Sequence, residues 1–425
     1  MKRRSIRAAA AGLLAAGTLS TWAVPATIHA DPVAARDAGV IVEWNEITGR
    51  TLVENAQPIF QSLLYYGFTA LAMYDAVVTI EGGYEPWSDL PRAGRHASSE
   101  TAAATAAYVV LRHYFPSSAA ALRVDYRAAL AAVPAGIGKV RGVMVGVLAA
   151  GALISRHPDA GIGAPVPQPF AEPFEPGEWR PTPPALAPMA ATWLGFVDPL
   201  VIPAPIHLAG PPALDSAQYA ADFAAVRDYG GTISLRTDEQ TATALFHTVA
   251  PRFQHLEAIR DQITGRGLDI VDAAHALAVF DASLADAAIS CWRNKYDFNF
   301  WRPVTAIALA DTDNNPATDV VPGWTPLRPT PPYPDYPSGH ACFVGAVSGS
   351  IDNLFGDGPL TRPYTMKSYI DGVPDRSYAT TDALDTETMN ARMWNGFHFR
   401  TAMTDGNALG RTVADAVANT FHPTH

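Results

Sequence analysis

The stretch FQSLLYYGFTALAMYDAVV, residues 60–78, decides the fold class. Its residues Phe60, Leu63, Leu64, Gly67, Leu71, Tyr74 and Val78 recur at steps of three and four, which lines one face of a helix and not of a strand. The same spacing returns in TAAATAAYVVLRHYF (101–115), GKVRGVMVGVLAAGALISR (138–156), TATALFHTVA (241–250), AHALAVFDASLADAAIS (274–290) and ALGRTVADAVANTF (408–421). No series of alternating β-branched residues marks a sheet, so the reading is an all-α body. Between residues 161 and 214 the composition changes, and 14 of the chain's 36 prolines fall there. A loop that long is functional or wraps a core built by other segments. The expected organisation of residues 31–425 is one domain: an N-terminal helical half (about 40–160), a proline-rich irregular belt (about 161–214) and a C-terminal half (about 215–425) that carries the chemistry.

Composition bounds the rest. A chain of 425 residues with 48% hydrophobic and 17% charged residues is globular and long enough for a substantial core. A formal charge of −11 argues against nucleic acid as a partner. Two cysteines, Cys291 and Cys342, are too few for a disulfide framework; two buried thiols are expected, and a single bridge stays open. Residues 1–30 combine a basic start (Lys2, Arg3, Arg4, Arg7), an apolar stretch from Ala8 to Ala23 and small residues at Ala26 and Ala30. That pattern is a secretory signal peptide, by the general or the twin-arginine route, and it places the mature protein outside the cytoplasm. No later apolar run is read as reaching the roughly 18 residues of a membrane span, so no span and a soluble mature protein are expected.

Three stretches hold the chemistry. In KYDFNFWRP (295–303), Lys295 and Arg302 stand seven apart, two helical turns, and should project from one face. In PPYPDYPSGHACF (331–343), a proline-rich corner precedes Ser338, Gly339 and His340 at the start of a helical pattern, where free backbone amides make an anion site. In ARMWNGFHF (391–399), Arg392 and His398 lie six apart. Singly these read as a solvated helix face, a capped turn and a core histidine. Together, two guanidinium forks, an ammonium, a hydroxyl, helix-start amides and two histidines are the donor set of a highly charged tetrahedral oxyanion.

The order K-x6-R-P, P-S-G-H, R-x5-H resembles that of the vanadium-dependent haloperoxidases and of the related type-2 phosphatidic-acid and acid phosphatases. LAMYDAVVTIEGGYEP, WRPTPPALAP, SLRTDEQT, LADAAISCW and the segment from Trp324 to Ala346 look like the secreted bacterial haloperoxidase branch, so the resemblance covers about residues 40–420. It implies two packed four-helix bundles. It implies vanadate as cofactor, with Lys295, Arg302, Ser338, the Gly339 amide and Arg392 on its equatorial oxygens, His398 as axial ligand and His340 as acid/base neighbour; phosphate would fit the same site. It also implies small-molecule partners: hydrogen peroxide, halide and an organic acceptor. Lys295 would polarise the activated peroxide oxygen, halide would attack it to give hypohalous acid, and vanadium would stay at +5.

The competing chemistry at the same residues is a phosphatase, in which His398 attacks phosphorus and His340 protonates the leaving group. A binding protein without turnover would not need His340. The chain departs from its resemblance at three points. Many relatives place an aspartate four residues after the last histidine, where this chain has Ala402, so a backbone carbonyl or Asp405 is expected to orient His398. Residues 246–251 lack the aspartate that pairs with the arginines in some fungal relatives. Tyr333, seven before His340, is neither the phenylalanine of chloroperoxidases nor the histidine of bromoperoxidases. Elsewhere, DTDNNPATD (311–319) has oxygen ligands at alternate positions, but Pro316 stands where a calcium loop needs glycine, and a solvated turn is expected.

Overall fold

The computed structural model describes residues 38–424 apart from 95, 160 and 250, and the backbone alone at 249, 251 and 252. The signal peptide expected at 1–30 lies outside the described residues. Five helices build the N-terminal half: α1 (Gly39–Glu54), α2 (Ile59–Glu81), α3 (Ser99–Tyr114), α4 (Ala119–Ala132) and α5 (Ile137–Arg156). Eight follow the belt: α6 (Ala217–Gly230), α7 (Asp238–Val249), α8 (Pro251–Gly265), α9 (Ile270–Phe298), α10 (Pro303–Ala308), α11 (Gly339–Phe355), α12 (Thr381–Trp394) and α13 (Arg400–Ala418). Two short antiparallel strands, β1 (Tyr364–Met366) and β2 (Arg376–Tyr378), pair Tyr364 with Tyr378. The protein is all-α, as the spacing of apolar residues predicts.

Helix α9 is the axle. Asp269 caps its start by accepting from the Val271 and Asp272 amides, and Asn299 ends it in the left-handed region at φ 44°. It packs against α2 on the N-terminal side and against α11 and α13 on the other. A helix touched on every side is buried nearly all round, as α2 and α9 are, and its few polar side chains then need partners inside the fold. This corrects the expectation that no membrane-length apolar segment follows the N-terminus. By length and composition α2, α5 and α9 could each cross a membrane; the apolar windows of α2 and α9 are 94% buried in the fold, and that of α5 only 33%. Looking for unbroken apolar runs missed them, because helices of this kind tolerate isolated charges such as Asp75 in α2 and Asp281 in α9.

The belt has no sheet to join, and α9 supplies its partners from a polar stripe at four-residue spacing. Asp286 accepts the amides of Leu200 (2.6 Å), Val201 (2.9 Å) and Ile202 (2.9 Å). Ser290 Oγ accepts from Ile206, and Asn294 accepts from Leu208 while donating to the Ile206 carbonyl. Asp286→Ala is therefore expected to strand three amides and to cost on the order of 3–5 kcal/mol, since each donor left unpaired costs about 1–3. Urea unfolding measures it; a loss below about 1 kcal/mol would mean the belt is held by other contacts.

Helices α11 and α13 approach along a seam of four glycines, two on each helix and four residues apart. A Cβ added at Gly345 would lie 2.2 Å from the Asn407 carbonyl oxygen, and one at Gly410 2.1 Å from that of Cys342. At Gly406 it would lie 2.9 Å from the Ser338 carbonyl oxygen, and at Gly349 2.8 Å from Ala414 Cβ. The 311–319 loop is a mostly exposed turn, as expected, closed from within by buried Asp313, which accepts from the Asn315 amide (2.9 Å) and the Thr318 hydroxyl (2.8 Å).

Candidate active site

The predicted residues meet where the end of α9, the 331–338 corner and the starts of α11 and α13 converge. Lys295 and Arg302 do not share a helix face, contrary to expectation. Helix α9 stops between them, and Arg302 caps α10 in extended backbone, as a residue before proline prefers. Both side chains nevertheless turn to the corner from opposite sides of the break. Lys295 Nζ donates to the carbonyls of Pro334 (2.7 Å), Asp335 (3.2 Å) and Pro337. Arg302 donates through Nε to the Tyr333 carbonyl (2.7 Å) and through Nη1 to that of Phe397 (2.7 Å). Tyr333 lies between the two cations, its ring centroid 5.0 Å from Lys295 Nζ and 4.8 Å from the Arg302 guanidinium carbon.

The corner is pinned from three directions. The Asp335 amide donates to Phe300, the Ser338 amide to Ala402 (2.7 Å), and the belt pairs with 299–301 through Trp179 N–H to Asn299 and Trp301 N–H to Gly177. Ser338 caps α11, yet its hydroxyl makes no capping bond. The first intrahelical bond of α11 runs from Cys342 to Ser338, so the amides of Gly339, His340 and Ala341 precede it without a backbone partner among the described residues. Glycine at 339 lets α11 come close to α9: a Cβ there would stand 3.2 Å from the Trp292 ring.

His398 is fully buried, and sequence reasoning missed its partner. Asp335 Oδ1 lies 2.8 Å from His398 Nδ1 and 3.8 Å from Arg302 Nη1. Of the two orienting groups expected, a backbone carbonyl or Asp405, Asp405 instead accepts from the Tyr336 hydroxyl at 2.6 Å. The available signal was a lone carboxylate inside the apolar corner YPDYP, where a buried charge needs a partner. Arg302 Nη1 is 3.0 Å from His398 Nε2 and 3.3 Å from Nδ1, so it lies over the ring face and not in line with one nitrogen. Arg392 is buried with its guanidinium carbon 4.5 Å from the centre of the Phe397 ring.

Charge in the site is unbalanced. Three buried cations, Lys295, Arg302 and Arg392, face one buried carboxylate, Asp335. Burial pulls the Lys295 pKa down to about 8 and that of Arg392 to about 10, and pushes Asp335 up to about 7. Burial first, then the charges of Arg302, Lys295 and Arg392, holds His398 well below the usual histidine range. Burial and then Arg392 do the same to the partly exposed His340. Ser338 Oγ and Arg392 Nε are buried without a hydrogen-bond partner. Uncompensated cations and orphaned donors are costly until an anion arrives. A tetrahedral oxyanion with two or more negative charges fits this cradle. Among the described residues no cluster of three or more His, Cys, Asp or Glu offers an alternative, cation-binding centre.

Comparison with known proteins points the same way. Residues 275–424 match the family described as VCPO second helical-bundle domain. The vanadium chloroperoxidase of Curvularia inaequalis is 29% identical over 175 residues, which cover 33% of this chain and 28% of that protein. A bacterial vanadium-dependent iodoperoxidase structure superposes with a TM-score of 0.72 at 21% identity, over 91% of this chain and 97% of that one. A holo-type bacterial vanadium-dependent chloroperoxidase gives 0.65 at 18% identity, over 85% and 92%.

Proposed function

The chain belongs to the vanadium-dependent haloperoxidase family, and from that membership we propose that it oxidises halide with hydrogen peroxide on a bound vanadate. The observation that carries the reading is the excess of buried positive charge over a single carboxylate, beside orphaned Ser338 and Arg392 donors. Vanadate, when bound, supplies a Lewis-acid centre that makes peroxide electrophilic toward halide.

The chain's own groups do the rest. Arg302, Arg392, the Ser338 hydroxyl and the Gly339 amide donate to the anion's oxygens. Asp335, whose Oδ1 lies 2.8 Å from His398 Nδ1, would favour the tautomer protonated there, so that Nε2 would be the nitrogen that holds the metal. The surrounding cations keep that ring neutral and its lone pair available. His340, at the rim of the same cradle, moves protons to and from the reacting oxygens. Its affinity for a proton rises once an anion offsets Arg392.

Lys295 has all three N–H directions on the corner's carbonyls, so it acts on the anion mainly as a charge held at a set place. The advantage of wild type over Lys295→Met in vanadate affinity is then expected to be greatest below pH 8. A lysine of pKa about 8 is charged below that pH and loses the charge above it, so the ratio should fall about tenfold per unit as pH rises from 8 toward the higher pKa that Lys295 takes beside a bound anion. Taking the ratio removes vanadate's own titration. A ratio flat across that range would mean that the Lys295 charge does not contribute.

The reading is tested on purified protein, with and without vanadate, in two assays: bromide, peroxide and a halogen acceptor, and separately a phosphate monoester. Halogenation that requires vanadate and is suppressed by phosphate supports it. Phosphate release by vanadate-free protein, without halogenation, would assign the cradle to a phosphatase working through a phosphohistidine on His398.

A further inference from the structure

Cys291 lies on α9 one turn before Lys295, and Cys342 lies in the first turn of α11, two residues after His340. Both are fully buried. Cys342 Sγ donates to Cys291 Sγ across 2.6 Å. Non-bonded heavy atoms come to rest about 3.5–4.0 Å apart, so the two sulfurs are well inside contact with nothing between them. The Cys342 backbone is held against Gly410 of α13, and Cys291 Sγ faces the Pro337 carbonyl at 3.9 Å, the same carbonyl that accepts a hydrogen bond from Lys295. The pair therefore sits immediately behind the cradle, between the helix that carries Lys295 and the helix start that carries Ser338, Gly339 and His340.

We propose that Cys291 and Cys342 are a redox pair that closes to a disulfide, fastening α9 to the start of α11. The oxidant is hydrogen peroxide. One thiol, as thiolate, attacks a peroxide oxygen; the O–O bond breaks, water leaves and a sulfenic acid forms. The second sulfur then displaces that hydroxyl as water and the S–S bond forms. Two thiols and one peroxide give one disulfide and two waters. No vanadium takes part, so the proposal goes beyond the haloperoxidase reading and stands or falls apart from it. Both sulfurs are fully buried, so external thiols reach the closed bridge slowly and it is durable in the folded protein.

The test uses the full chain, free of vanadate and purified in reductant. One half is exposed to hydrogen peroxide, and both halves are denatured and alkylated with iodoacetamide before intact-mass measurement. The expected result is two alkylated cysteines in the untreated half and none in the peroxide-treated monomer, with both recovered when reductant precedes alkylation. The treated protein should also melt at a temperature higher by about 5 °C, a gain absent from the Cys291→Ala/Cys342→Ala variant. Two alkylatable thiols after peroxide, a mass gain from sulfinic or sulfonic acid, or covalent dimers in place of closed monomers would each overturn the proposal. The mass readings use the native sequence, so a variant that fails to fold leaves the test intact.

Discussion

Protein carrying His398→Ala is expected to fold, to lose retention of vanadate on gel filtration and to show no halogenation above background. Of the two histidines in the cradle, His340 is assigned to proton transfer, and the His398 imidazole, with Asp335 Oδ1 2.8 Å from its Nδ1, is the one assigned to the metal. Removing it leaves the cations to hold the anion by charge alone, as they would hold phosphate. Vanadate and phosphate affinities, measured by equilibrium dialysis, should therefore converge in the variant while differing in the wild type. Truncating a fully buried ring also leaves Asp335 short of a partner, so the melting temperature is recorded alongside and a modest drop is expected. Unchanged vanadate affinity in folded His398→Ala would remove His398 from the metal.

For His340→Ala the expectation runs the other way on binding. The donors Arg302, Arg392, Ser338 and the helix-start amides all survive the substitution, so vanadate affinity should stay close to wild type. Turnover should fall roughly 10²- to 10⁴-fold, the usual loss on removing a general acid/base. A histidine that only packs the helix start would give the reverse, a lower melting temperature with ordinary activity per folded molecule. His340 makes no hydrogen bond among the described residues, which leaves its ring nitrogens free for substrate protons. Comparing turnover, affinity and melting temperature in one preparation separates the two roles.

What could be read without coordinates followed from what each feature depends on. Helical periodicity is local, so α2, α3, α5, α9 and α13 were legible from apolar spacing alone. Lys295, Arg302, Ser338, Gly339, His340, Arg392 and His398 were legible because short spacings in three stretches matched one donor set, and the structure brings them together. Asp335 was in plain view five residues before His340, yet its partner is 63 positions away in sequence, and no local pattern links the two. The same holds for Asp286, whose three amide partners lie in the belt. The break at Asn299 escaped because asparagine in the left-handed region leaves only a weak mark, although Pro303 was a usable warning. That α2, α5 and α9 reach membrane length was missed because isolated charges interrupt their apolar runs; a helix at the centre of a protein and one in lipid meet the same apolar demand, and the chain alone does not say which surroundings satisfy it.

The glycine seam between α11 and α13 sets how this site can diversify. Four positions without side chains act as a ruler that places the Ser338 turn against the start of the helix behind His398, and none of the four is among the residues assigned to the anion. Instructions for where the machinery stands are thus stored apart from the residues that give it chemical taste. Tyr333, between two cations, can be exchanged without moving that ruler, so a library varied there should contain many folded members with altered preference. A library varied at Gly406, where the smallest added group presses on the Ser338 carbonyl, should yield few that bind at all.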